Sequence, residues 1–213
     1  KIRRVALRVT TNIDLLIKDF FHNPPSYKVV TTLSWKAATS IGHDQAAAAA
    51  SAMVIVNTVV IVKGLGLSQR DVALTMAAFG AGSITAALTL PRILDRVADR
   101  TVMLIAAALL TLTLAAMALV TVTMGTADSY WYMLIAGWIV MGLAYSASVT
   151  PSGRLLRRSA NADDRPALFA AQFALSHVCW LIAYPLVGQL GARVSMTAAF
   201  GGMAALAAVG AVA

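Results

Sequence analysis

The chain has 213 residues, of which 59% are hydrophobic and only 12% charged, and its mean hydropathy is +0.76. A soluble domain carries about a quarter charged residues, so this composition excludes an ordinary soluble fold and points to an integral membrane protein. The formal charge of +8 does not point to nucleic acid, because the basic residues lie between apolar runs rather than on one solvated domain.

Residues 1–25 form a basic lead in which Ile2, Val5, Ala6 and Val9, then Ile13, Leu16, Phe20 and Phe21, recur at roughly helical spacing. Such a helix can lie on an anionic membrane face or pack, solvated, beneath a bundle. Asn23-Pro24-Pro25 ends it, since neither proline donates to a helix ladder. Tyr27–Leu33 is weakly strand-like through Val29, Val30, Thr31 and Thr32. The segment to Asp44 is taken as loop leading into the first membrane helix. The division is therefore a basic cytoplasmic lead over 1–44 and a membrane bundle over 45–213.

Six apolar runs follow, at Gln45–Val62, Val72–Pro91, Thr101–Met124, Tyr130–Thr150, Pro166–Gly188 and Ser195–Ala213. A hydrocarbon core ~30 Å thick takes about 20 helical residues. Continuous apolar character without period-two alternation argues for helices over barrel strands. The expected fold is an all-α bundle of six transmembrane helices. Charge sets its orientation. Fourteen Lys and Arg fall in the lead and in the loops after spans two and four; three (Lys63, Arg70 and Arg193) fall on the other side. The positive-inside rule then places both termini in the cytoplasm. The first residue is Lys and the last apolar run continues to the final residue, so the chain reads as an excerpt of a longer protein.

The turn between spans two and three, Pro91–Arg100, carries the most specific pattern. It resembles the G-x-x-x-D-R/K-x-G-R/K-R/K loop of the major facilitator superfamily: Asp95, Arg96 and Arg100 match, while Pro91, Ala98 and Asp99 depart from it. The resemblance implies a conformational latch made by Asp95, Arg96 and Arg100. Tyr184-Pro185-Leu186-Val187-Gly188 is similar to the Gly/Pro-rich motif of drug–proton antiporters. In it Pro185 frees a carbonyl and kinks the helix, and Gly188 admits a neighbour. Together these features resemble the C-terminal six-helix half of a bacterial facilitator-type exporter in the inner membrane.

Within the spans, the candidates for a substrate or proton path are His177, Gln172, Asn57 and Asp44. An ionisable group in a span is a functional candidate by default, and an imidazole titrates in the useful range. Each has a bland alternative. His177 and Asn57 can join helices by hydrogen bonds, and Asp44 can be an interfacial residue favoured by a helix N-terminal dipole. Gly80–Ser83 and Gly201, Gly202 and Ala205 are small-residue patches suited to close packing.

The resemblance implies a secondary transporter exporting a small organic compound, with proton coupling and a second six-helix half as partner, in contact with lipid. A membrane scaffold or accessory subunit is the alternative. No His-Glu-x-x-His, Cys/His cluster or Gly-x-Ser-Gly setting suggests an enzyme, and neither a metal, a cofactor nor nucleic acid is expected.

Overall fold

The computed structural model describes residues 44–124, 129–159, 162 and 165–212. The chain divides into two units, Lys1–Ala37 and Ala38–Ala213. The basic lead, the strand-like Tyr27–Leu33 and His43 lie outside the described residues.

The described residues are helices joined by short turns. They are α1 (Asp44–Gly64), α2 (Gln69–Leu94), α3 (Asp99–Met124), α4 (Tyr130–Val149), α5 (Ser152–Ser159), α6 (Arg165–Arg193) and α7 (Met196–Val212). Helix α1 through α4 and α6 contain stretches long and apolar enough to cross a membrane; α7 is apolar but shorter, at 17 residues. The helical expectation follows from backbone chemistry, because hydrocarbon offers amides no partner outside the segment.

Two boundaries differ from the sequence expectation. Helix α2 passes through Pro91 and ends at Leu94. Proline costs only the bond to the Ala87 carbonyl there, and the chain regains order when the Asp95 N–H donates to the Pro91 carbonyl at 3.2 Å. The basic segment after span four is not loop throughout but the short helix α5. Pro151 precedes it, and the Arg154 and Leu155 N–H groups donate to the Pro151 carbonyl at 3.0 and 3.1 Å. At the opposite end the chain leaves α1 through Gly66, at φ +73°, a left-handed conformation that favours glycine.

The tightest joint is between α2 and α4. A Cβ on Gly82 would come within 2.0 Å of the Ile139 carbonyl oxygen, and one on Gly142 within 1.9 Å of the Phe79 carbonyl oxygen. Backbone meets backbone at both positions. In lipid, packing rather than hydrophobic transfer joins helices, so this approach is a large part of what holds the pair. Of the Gly80–Ser83 patch, Gly82 makes the contact, whereas Gly80 faces open space. In the second patch, Gly202 faces the Leu190 side chain of α6 and Gly201 faces nothing within 4 Å.

Helix α1 crosses the middle of the bundle, with 72% of its apolar window buried against 12% for α6. Thr58 of α1 accepts a bond from Trp138 Nε1 at 2.8 Å and donates to the Val54 carbonyl. Trp138 in turn meets Phe200 of α7 edge-on, with ring centroids 6.1 Å apart. Gln45 Nε2 donates to the Leu206 carbonyl of α7 at 3.0 Å, fastening the start of α1.

The glycine joint yields a direct test. Gly142→Ala is expected to destabilise the purified chain by about 1–3 kcal/mol, the usual cost of overpacking, while Gly80→Ala leaves it within about 0.5 kcal/mol. Thermal unfolding in detergent reads both; equal effects would show that the α2–α4 approach does not govern stability.

Candidate functional site

One end of the bundle collects the α2–α3 turn, the α4–α5 turn, α5 itself and the start of α6, and with them most of the charge among the described residues. A cavity of about 690 Å³ opens at this charged end between α1, α4, α5 and α6.

Helix α6 supplies most of its wall through helical repetition. Phe169, Gln172, Phe173, Ser176, His177, Trp180 and Tyr184 all line the cavity, at steps of three and four that set them on one face. Asp44 and Ala47 of α1 and Tyr145 of α4 stand across from them. Asp44 is 9% exposed, and Gln172 Nε2 donates to its Oδ2. His177 Nδ1 lies 2.7 Å from the Phe173 carbonyl. A carbonyl only accepts, so Nδ1 carries the proton, and in the neutral ring Nε2 keeps its lone pair. The His177 and Phe173 rings stack with centroids 4.0 Å apart, and those of Trp180 and Tyr184 are 5.4 Å apart.

Three of the four polar candidates thus come together: Asp44, Gln172 and His177. Asn57 does not join them. It stands 13 positions beyond Asp44 on the same helix, about 20 Å along its axis. It is 2% exposed, and its Nδ2 lies 3.3 Å from Met53 Sδ. A Cβ on Gly191 would come within 2.9 Å of Asn57 Oδ1, so glycine is what lets α6 approach there. Gly188 stands one turn earlier, where a Cβ would lie 3.8 Å from Val56. Helix α6 runs unbroken through Pro185.

The three motif residues lie at the turn between α2 and α3. Among the described residues no ion pair involves Asp95, Arg96 or Arg100, and Asp95 closes α2 as an exposed cap. The pairing acid is Asp99, which the motif comparison treats as a departure. Asp99 opens α3, where a carboxylate is favoured by the helix dipole. It is 8% exposed and meets Arg158 Nη1 at 3.1 Å and Arg154 Nε at 3.8 Å. This ties the α2–α3 turn to α5, and Gly153 and Leu156 of α5 line the cavity.

The aromatic stripe is the feature that the residue-by-residue reading of span five misses. Its signal is present as Phe169, Phe173, Trp180 and Tyr184 at steps of four, seven and four. Tyr145 carries no comparable signal in its own span.

Comparison with known proteins adds the following. Residues 45–213 match the family described as Major Facilitator Superfamily. Residues 1–75 match the family described as Apoptosis inhibitory protein 5. Apoptosis inhibitor 5-B of Xenopus laevis is 69% identical over 36 residues, which are 17% of this chain and 7% of that protein. Apoptosis inhibitor 5 of Mus musculus and of Homo sapiens are each 67% identical over 36 residues, with the same shares. The chain therefore spans only a small part of these curated relatives, a short local match. No solved structure matches the chain significantly.

The Asp99 pairing can be separated from the motif acid. Asp99→Asn is expected to lower stability by about 1–2 kcal/mol, since it strands two guanidinium groups whose exposure tempers the cost. Asp95→Asn should change it by less than about 0.5 kcal/mol. A thermal double-mutant cycle of Asp99→Asn with Arg158→Gln should return a favourable coupling; an equal loss from Asp95→Asn would show that the Asp99 pairing is not what fastens this end of the bundle.

Proposed function

The chain belongs to the major facilitator superfamily, a family of multi-pass membrane transporters, and from that premise we propose that it forms one six-helix half of a secondary transporter. In this reading the half meets a second six-helix bundle and moves a small organic compound outward by alternating access. The site lies where the two bundles meet.

One observation carries the reading: a cavity of about 690 Å³ inside a hydrophobic bundle, into which a carboxylate, an amide and an imidazole converge from α1 and α6. A scaffold has no use for such a group as Asp44, a buried carboxylate that costs free energy to hold away from water. The wide uncovered face of α6 supports the presence of a second bundle. Val178, Leu181 and Ile182 are all exposed on it. Asp44 and His177 face the cavity and are the groups that would carry a coupled proton. In this reading the membrane is a bacterial inner membrane and the charged end, with the cavity mouth, faces the cytoplasm, an orientation that the excess of Lys and Arg at that end supports. Asp99 with Arg154 and Arg158 is the latch at that mouth.

Alternating access can be tested without knowing the substrate. In a Cys179→Ala background, Ser176→Cys places one thiol on the cavity wall. An impermeant maleimide is expected to label it in both inside-out and right-side-out membrane vesicles, at rates within about tenfold of each other. Labelling confined to one face would favour a static scaffold.

A further inference from the structure

We infer that the charged end of the bundle seats an anionic phospholipid, its phosphate at the arginines around the α2–α3 turn and α5 and its acyl chain along the outward face of α3. The inference rests on the chain's place in a membrane and is independent of the transport reading.

Unpaired charge is the first argument. Arg92 lies in the last turn of α2, Arg96 just beyond it, Arg100 in the first turn of α3 and Arg157 on α5. All four are exposed, and among the described residues none makes an ion pair. The acids at this end do not offset them, since Asp99 is taken by Arg154 and Arg158 and Asp95 is a single charge. The contact of Asp99 with Arg158 holds α5 beside the start of α3, and Arg100 and Arg157 each stand one residue from it. Cations gathered in this way repel one another, and an anion drawn among them relieves the repulsion. Guanidinium groups match phosphate oxygens in geometry as well as charge.

The surface next to that charge is the second argument. Ile105, Ala108, Leu112, Ala115 and Leu119 of α3 recur at steps of three and four, and all are exposed. One apolar face of α3 is thus uncovered, among the described residues, for most of its length. Arg100 precedes Ile105 by five positions and Leu112 by twelve, about 7.5 and 18 Å along the axis. One leaflet supplies about 15 Å of the ~30 Å hydrocarbon core. A lipid with its phosphate at Arg100 therefore lays an acyl chain over Ile105 and Ala108 towards Leu112. The sequence holds no Lys or Arg between Arg100 and Arg154, so α3 and α4 bring no cation to the opposite end of this face. A free phosphate would use the arginines but not the face. A zwitterionic lipid carries its own cation and gains less from them.

The test follows thermal unfolding of the full chain in a non-ionic detergent as phosphatidylglycerol or phosphatidylcholine is added, each variant read against its own lipid-free midpoint. Phosphatidylglycerol is expected to raise the midpoint saturably, by about 2–4 °C once it exceeds its dissociation constant about fivefold. Phosphatidylcholine should give less than about a third of that rise, and inorganic phosphate none. Combining Arg96→Gln, Arg100→Gln and Arg157→Gln should remove most of the rise, while Lys63→Gln with Arg70→Gln, at the other end, should keep it. A triple variant that responds as the parent does, equal shifts from the two lipids, an equal shift from inorganic phosphate, or a parent without a saturable shift would each overturn the inference. Should the triple variant not fold, native mass spectrometry of the parent decides. Retention of phosphatidylglycerol over phosphatidylcholine from an equimolar mixture upholds the site, and equal retention overturns it.

Discussion

A hydrocarbon layer gives a backbone amide nothing to bond to, and the whole arrangement of this chain descends from that constraint. Each crossing must satisfy its own N–H and C=O groups and is therefore a helix. Once the helices exist, burying apolar surface no longer separates folded from unfolded pairs, since lipid is as apolar as leucine. What remains is close approach. The chain meets that need at Gly82 and Gly142, where α2 and α4 touch backbone to backbone. Elsewhere it uses polar bridges, such as Trp138 to Thr58 and Gln45 to the Leu206 carbonyl. Polar groups in this bundle therefore divide into those that join helices and those that face the cavity.

Asp99 and Asp44 show the same division for charge. Both are buried acids at the charged end of the bundle. Asp99 is engaged from two sides: it stands in the first turn of α3 and meets the guanidinium groups of Arg154 and Arg158. It ties a turn to α5 and has little left to offer a ligand. Among the described residues Asp44 has one amide donor, from Gln172, and it lines the cavity. A group built only for structure is expected to be saturated by structure. The incomplete pairing of Asp44 is what separates a site from a joint.

The spans were legible in the sequence because hydropathy over 20 or so residues is a summed signal that no single neighbour overrides. Their expected limits fall within a few residues of α1–α4, α6 and α7. Signals resting on one residue were less secure. Pro91 stops a helix in isolation but not in its last turn. The loop motif draws attention to Asp95, while the ion pairs among the described residues go to Asp99, which opens α3 and meets Arg154 and Arg158 of α5. Helix α5 was hidden because eight residues with three arginines look like solvated loop until Leu155 and Leu156 are given a bundle to lean on. For the cavity, Asp44, Gln172 and His177 were legible as polar residues in apolar runs. Their meeting was not, since Asp44 and Gln172 are 128 positions apart. Asn57, which draws the same notice, is a helix-contact residue against Gly191.

Two of the helices that line the cavity, α1 and α6, have backbone irregularities well inside their length, whereas the Pro91 of α2 falls in its last turn. Helix α1 widens into a π-turn over Met53–Asn57, and α6 contains Pro185, which leaves the Leu181 carbonyl without its usual helical donor. They meet at these levels, Val56 against Gly188 and Asn57 against Gly191. Tyr184, which lines the cavity, immediately precedes the proline. A helix already missing a regular bond bends there at lower cost than one with a full ladder. Helices α2 and α4, by contrast, are held by a backbone contact that tolerates no added carbon. The bundle thus joins a stiff pair to a pair with built-in points of compliance, and the unsaturated carboxylate and the aromatic stripe both lie on the compliant pair. If ligand binding and bundle movement are one event, that is the pair on which both must act.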